Sequence, residues 1–242
     1  MWSRVLLLSL LTVTILSNPS FAQGLTLELE QDGQLATRSI QLLLLITVLS
    51  LAPGIIIMIT CFPFIVTVLA ILRQAIGLQQ SPPNMLLVTL AMFLTYFVME
   101  PVFLKSYEAG IRPFADNEMA LELAFLNALE PFKVFMVTRI DTDTYMSLAN
   151  LREVSDTSIQ VNSPLSLMVP SFLLSEIERA FQIGFILFLP FLIIDLVVAA
   201  VLMSMGMMMV PPAIVSLPFK LAFFVVADGW TLIAGSLVQS YF

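Results

Sequence analysis

Five methionines fall between Met203 and Met209, in the stretch MSMGMMMVPP. The thioether side chain is unbranched, flexible and polarizable, so it fills irregular gaps. Contributed by several chains to one ring, such side chains would close a pore without demanding a fixed shape and would yield around a passing polypeptide. A hydrophobic constriction also stops water and ions by dewetting. Gly206 permits a backbone break there, and Pro211-Pro212 force a turn. Packing at a helix end would use the same residues, and spacing alone leaves both readings open.

The remaining chemistry is carried by charges in apolar surroundings. Asp195 sits in PFLIIDLVVAAVLM and Asp228 in FVVADGW, with Lys220 between them. Charged groups at membrane depth are costly and face protein or a cavity. These acids fit proton carriers, pore-lining charges or structural ion pairs, and Lys220 is a candidate partner for either, within one subunit or between two. Glu176 and Arg179 are spaced to share a helical face, whereas Glu178 points elsewhere and is placed to meet another subunit or solvent. No catalytic constellation is present. Histidine is absent, there is no GxSxG or GxxxxGK[ST] motif, and the single cysteine, Cys61, excludes an internal disulfide or a CxxC site. No cofactor or metal is expected.

Composition narrows the class. Of 242 residues, 59% are apolar and 11% charged, with a mean hydropathy of +1.00. Soluble domains carry about 25% charged residues. The net charge of −7, with no basic stripe, excludes a nucleic-acid binder. Arg4, the apolar run Val5–Leu16 and the small-x-small end Ser20-Phe21-Ala22 read as a signal peptide over residues 1–22, cleaved after Ala22. Residues 23–39 follow as a polar tail.

The elements that must position the site are long, apolar and interrupted. Ile40–Leu72 carries no charge, and as one helix would reach about 50 Å against a hydrocarbon core of about 30 Å. Pro53-Gly54 and Pro63 divide it into two or three pieces. A second run, Met85–Leu104, completes a first hydrophobic hairpin over 40–104. Residues 105–169 form a small amphipathic helical region. In it Asp116 or Asn117 is placed to cap a helix, Pro131 to end or restart it, and Thr142 or Asp143 to cap another. A second hydrophobic hairpin covers 170–242, with Pro170 in its first turn, a kink at Pro190 and a stop at Pro211-Pro212. The expected fold is therefore all-α and membrane-associated, built from kinked and broken hydrophobic helical hairpins. Hydropathy counts about four spans. Broken backbone at membrane depth is tolerated only where protein or a water-filled cavity satisfies it, so much of this apolar surface should lie against protein.

The stretches PSFLLSEIERAFQIGF (170–185) and PFLIIDLVVAAVLMSMGMMMVPP (190–212) closely resemble the paired signatures of the FliP/SctR family. Ser175-Glu176, Phe181, Gly184, Pro190, Asp195, Gly206 and the methionine run all take part. Upstream, RQAIGLQQSPPN and EPVF resemble the family's first connector and second apolar segment. The resemblance implies a core subunit of the type III protein export apparatus. The leader and a looser match of TRIDTDTYMSLANL favour the flagellar branch over the injectisome branch.

What the resemblance implies goes beyond the residues themselves. It implies five copies joined with FliR and FliQ, and contacts with FlhB and FlhA, in an export gate that passes unfolded subunits. The gate would lie in the bacterial inner membrane and on its periplasmic side, within the flagellar basal body. On this resemblance, Met205, Met207, Met208 and Met209 form a gasket in the pore, and Glu178 and Arg179 move toward subunit contacts. A small-solute secondary transporter, marked by broken helices and buried acids, is the alternative.

Overall fold

The computed structural model describes residues 34–78, 82–152, 158–207 and 209–242, and every regular element among them is helical. The expected signal peptide and residues 23–33 of the tail lie outside the described residues. The chain divides into two units, one ending at Leu51 and the other running Ala52–Phe242. Helix α1 (Gln34–Met58) begins in the first and continues into the second, with Pro53 inside it. It is long and apolar enough to cross a membrane.

Within the second unit, the chain breaks at Ile59–Cys61 and restarts as α2 (Phe62–Ile76) with Pro63 in its first turn, where a missing N–H costs nothing. Of the two expected interruptions, only the one at Pro63 breaks the helix; Pro53-Gly54 lies within α1. Helix α2 is the centre of the core. Phe64, Ile65, Val68, Leu69 and Leu72 are buried at helical spacing. The first four meet Leu167, Met168, Phe172 and Ala180 from α7 (Leu165–Ser204) and Ala91, Val98 and Met99 from α3 (Asn84–Ser106), while Leu72 packs with Phe191 and Phe224.

Helix α3 contains Pro101 and passes through a π-helical turn, Tyr107–Ile111, into α4 (Arg112–Ala115). The next helix, α5 (Leu121–Val137), crosses that turn closely. Ser106 Oγ donates to the Ala128 carbonyl at 2.7 Å, and a side chain at Gly110 would collide with Ala124 and Ala128. Neither Asp116 nor Asn117 caps α5. Asp116 closes α4, Asn117 takes a left-handed φ of 58°, and Ala120 precedes α5 without a side-chain cap. Pro131 does not end α5 either; it lies within the helix, whose buried Phe132 and Met136 hold it against the core.

Helix α6 (Thr142–Leu151) is capped one residue earlier than the sequence suggested. Asp141, not Thr142 or Asp143, accepts from the Thr144 amide at 3.0 Å and from its hydroxyl at 3.1 Å. Those bonds hold the Asp141 carboxyl below its ordinary value of 3.8. The cap's contribution is therefore fully present above pH 3.8 and is lost as pH falls through the lowered native value. Asp141→Ala is expected to speed amide exchange at the start of α6 and to abolish that acid-dependent component. Exchange measured at neutral and at acid pH checks both.

Helix α7 runs for 40 residues, about 60 Å, or twice a hydrocarbon core. It starts five residues before Pro170, which is therefore not in its first turn, and it continues unbroken through Pro190. Pro212 opens α8 (Pro212–Val226), and α9 (Gly229–Gln239) follows after a 62° bend. Three helical stretches are long and apolar enough to cross a membrane, or four if the bent pair counts as one. The most apolar window of α7 is only 11% buried within the chain.

Candidate functional site: the methionine turn and two polar clusters

Helix α7 ends at Ser204, and its last turn is closed by backbone bonds. Gly206 N–H donates to Met203 O and Met207 N–H to Leu202 O, both at 3.0 Å. Gly206 adopts a left-handed φ of 77°, with open space where a side chain would stand. Glycine is needed there for the backbone conformation and not for room. Pro211 then sits in extended backbone and Pro212 becomes the first residue of α8. The proline pair thus starts the return helix; Gly206 is what stops the outgoing one.

The turn presents its methionines outward. Met205 is 65% and Met209 98% exposed, and Met207 is also exposed. Met208 lies outside the described residues. Methionines serving as filler at a helix end would be covered by neighbouring side chains; in this chain the described ones are not. Beside them, Val197, Val201, Met205, Val215 and Phe219 line a wholly apolar groove of about 570 Å³ along the α7–α8 hairpin.

The hairpin's register is set by one ion pair. Lys220 Nζ lies 2.6 Å from Asp195 Oδ2 and donates to the Ala75 carbonyl at 3.1 Å, while Ser216 Oγ donates to Asp195 Oδ1 at 2.5 Å. Lys220 and Ser216 are buried. Asp195 comes nine residues before the end of α7 and Lys220 eight after the start of α8. The bond therefore clamps the two helices about 12–14 Å from the turn, and through Ala75 it ties them to the end of α2. Of the two candidate partners Lys220 takes Asp195. Asp228 is exposed and accepts from Thr231 Oγ1 at 3.1 Å.

The second cluster joins parts of the chain that the sequence does not associate. Glu176 is fully buried, and its strongest contact is with Arg139 Nε at 2.8 Å. Its other oxygen accepts from the Tyr241 hydroxyl. The Arg179 pair anticipated from helical spacing exists only as a long 3.9 Å contact. Glu178 is exposed and accepts from Gln182 at 3.2 Å, leaving it open to other chains. Arg139 and Tyr241 escaped sequence reading because they lie 37 and 65 residues from Glu176. The available signal was chemical: an acid on the buried face of an apolar helix requires a cation. Ser175 extends the network by accepting from the Asp141 amide at 2.9 Å, which fixes the start of α6 against α7.

Among the described residues, no three His, Cys, Asp or Glu side chains converge as metal ligands. The arrangement offers an exposed thioether turn on a hairpin registered by one ion pair.

The profile of the FliP family matches residues 45–237. The flagellar biosynthetic protein FliP of Caulobacter vibrioides is 51% identical over 97% of this chain and 88% of its own length. The flagellar biosynthetic protein FliP of Bacillus subtilis is 47% identical over 87% of this chain and 95% of its own. That of Rhizobium meliloti is also 47% identical, over 87% and 86% respectively.

Proposed function

The chain belongs to the FliP family, a structural component of flagellar biosynthesis and not an enzyme, and from that premise we propose that it is a pore-forming subunit of the flagellar protein-export gate. Several copies, five by family resemblance, enclose a conduit together with FliR and FliQ, in contact with FlhB and FlhA. Unfolded flagellar subunits pass through it across the inner membrane, and the assembly extends to the periplasmic side. The methionine turns of neighbouring copies form a deformable seal.

The observation that carries this reading is the exposure of Met205, Met207 and Met209 on a turn held by a partly buried ion pair. Thioethers left uncovered by their own chain need a cover, and symmetry-related copies supply identical ones. A ring of such side chains excludes water when closed and reshapes around a polypeptide. The sparse burial of α7 supports the same view, because a 60 Å apolar helix overruns one bilayer and has surface left for sister chains. Asp195, which as a free buried acid would suit a small-solute transporter, is already engaged by Lys220 and Ser216.

Replacing Met205, Met207, Met208 and Met209 together by glycine is expected to make the assembled gate conduct ions at rest. Conductance of cells or reconstituted vesicles checks this. Unchanged resting conductance, with the complex intact by native mass measurement, would reject the seal.

A further inference from the structure

Helix α9 is held at its two ends and poorly packed between them. Of its eleven residues only Gly229 and Leu237 are buried. At its start, Asp228 takes a left-handed φ of 48°, a conformation that side-chain-bearing residues adopt rarely. Gly229 packs so closely on Phe224 that a Cβ there would lie 2.3 Å from the ring, and Phe224 in turn meets Trp230 edge-on at 5.3 Å. Behind the helix is a cavity of about 280 Å³ lined by Leu187, Phe191, Phe223, Phe224, Leu232 and Ile233 among others.

At its other end, the chain's penultimate residue is drawn into the core. The Tyr241 hydroxyl donates to buried Glu176, and its ring lies 4.1 Å from the Arg139 guanidinium carbon. The same ring stacks on Phe135 at 6.0 Å and meets Phe64 edge-on at 5.6 Å. Arg139 Nη1 adds a bond of 3.0 Å to the Ser240 carbonyl, while its buried Nη2 has no hydrogen-bond partner among the described residues. Arg139 and Glu176 pair directly, and the tail adds one further bond to each.

We infer that Tyr241 is a lock: it pins α9 against the core, and its release lets α9 swing about the Ala227–Gly229 corner and opens the cavity behind it. The tail is the part able to leave, since only Gly229 and Leu237 of α9 are buried and Phe242 beside Tyr241 is 80% exposed. Glu176 and Arg139 stay, being set in α7 and at the end of α5. The lock does not depend on whether the methionine turn lines a pore.

The chain carries its own reporter. Cys61, the single cysteine, is fully buried and near enough to Glu176 and Arg139 to feel both charges. Burial pushes its thiol up to about 12, so it should be inert to maleimide while the lock is closed. In the full-length protein, Tyr241→Ala is expected to raise the maleimide labelling rate of Cys61 at least tenfold. It should also remove hydrogen-exchange protection from Gly229–Gln239 while α2 and α7 remain protected. Tyr241→Phe keeps the ring contacts and loses only the hydroxyl, and should give a several-fold rise in both. Should Tyr241→Ala fail to fold, the phenylalanine variant decides alone. Unchanged exchange in α9, or equal loss of protection across α2, α7 and α9, would overturn the lock.

Discussion

Glu176→Ala is expected to be the most damaging single substitution in the second unit. It removes the carboxylate between Arg139 and Tyr241 and leaves a guanidinium that is largely covered, with its closest anionic partner gone. Breaking a buried pair from one side costs about 3–5 kcal/mol, because the surviving charge is neither solvated nor neutralised. For a chain of this length that corresponds to a fall in Tm of about 10 °C. Glu176→Gln keeps two hydrogen-bonding positions at nearly the same volume, and should cost about half as much. Thermal unfolding of both variants in the same detergent checks the order. Equal losses would mean that the charge alone holds the site, and no loss in Glu176→Gln that volume and hydrogen bonding do. Arg179→Ala should leave Tm nearly unchanged, since its contact with Glu176 is long and it is partly exposed.

The Asp195–Lys220 pair should behave asymmetrically. Lys220 is 5% exposed, whereas the Asp195 side chain keeps about a third of its surface open. Removing the acid by Asp195→Leu strands a buried ammonium with only the Ala75 carbonyl and is expected to cost about 3 kcal/mol. Removing the base by Lys220→Met leaves a carboxylate that still accepts from Ser216 and reaches solvent, so it should cost about 1–2 kcal/mol. The double substitution should recover most of the loss, because neither charge remains to be desolvated. A double-mutant cycle on unfolding free energy measures the coupling. If Lys220→Met is the worse of the two, the burial argument is wrong. The functional cost should persist even in the stable double variant, because a purely apolar contact no longer fixes how the methionine turn is presented.

Much of the chain is legible residue by residue. The charge-free runs give helices long and apolar enough to cross a membrane, and Gly206 marks the turn. Pro53 and Pro131 were read too strongly as breaks, and both lie inside helices. Pro170 lies beyond the first turn expected of it, and the helix continues through Pro190. At Pro131 the lost backbone bond is outweighed by Phe132 and Met136, which pack against the core. Caps were misplaced by small shifts for a related reason: Asp141 and its neighbours share nearly the same local propensity, and the choice falls to Ser175, which anchors the Asp141 amide from α7.

By itself the sequence determined that this is a helical membrane-associated chain of the FliP type with a methionine turn and no catalytic apparatus. The helical, membrane-associated character follows from composition and apolar run length, and the FliP type from resemblance to the family's signature stretches, all of which lie locally along the chain. Only the tertiary structure decided which charge meets which. It chose Asp195 over Asp228 for Lys220, gave Glu176 to Arg139 and Tyr241 in place of Arg179, and left the methionines uncovered. Coulomb energy depends on distance in space and on exclusion of water, and neither quantity is set until α2, α5, α7 and the C-terminal residues have packed together.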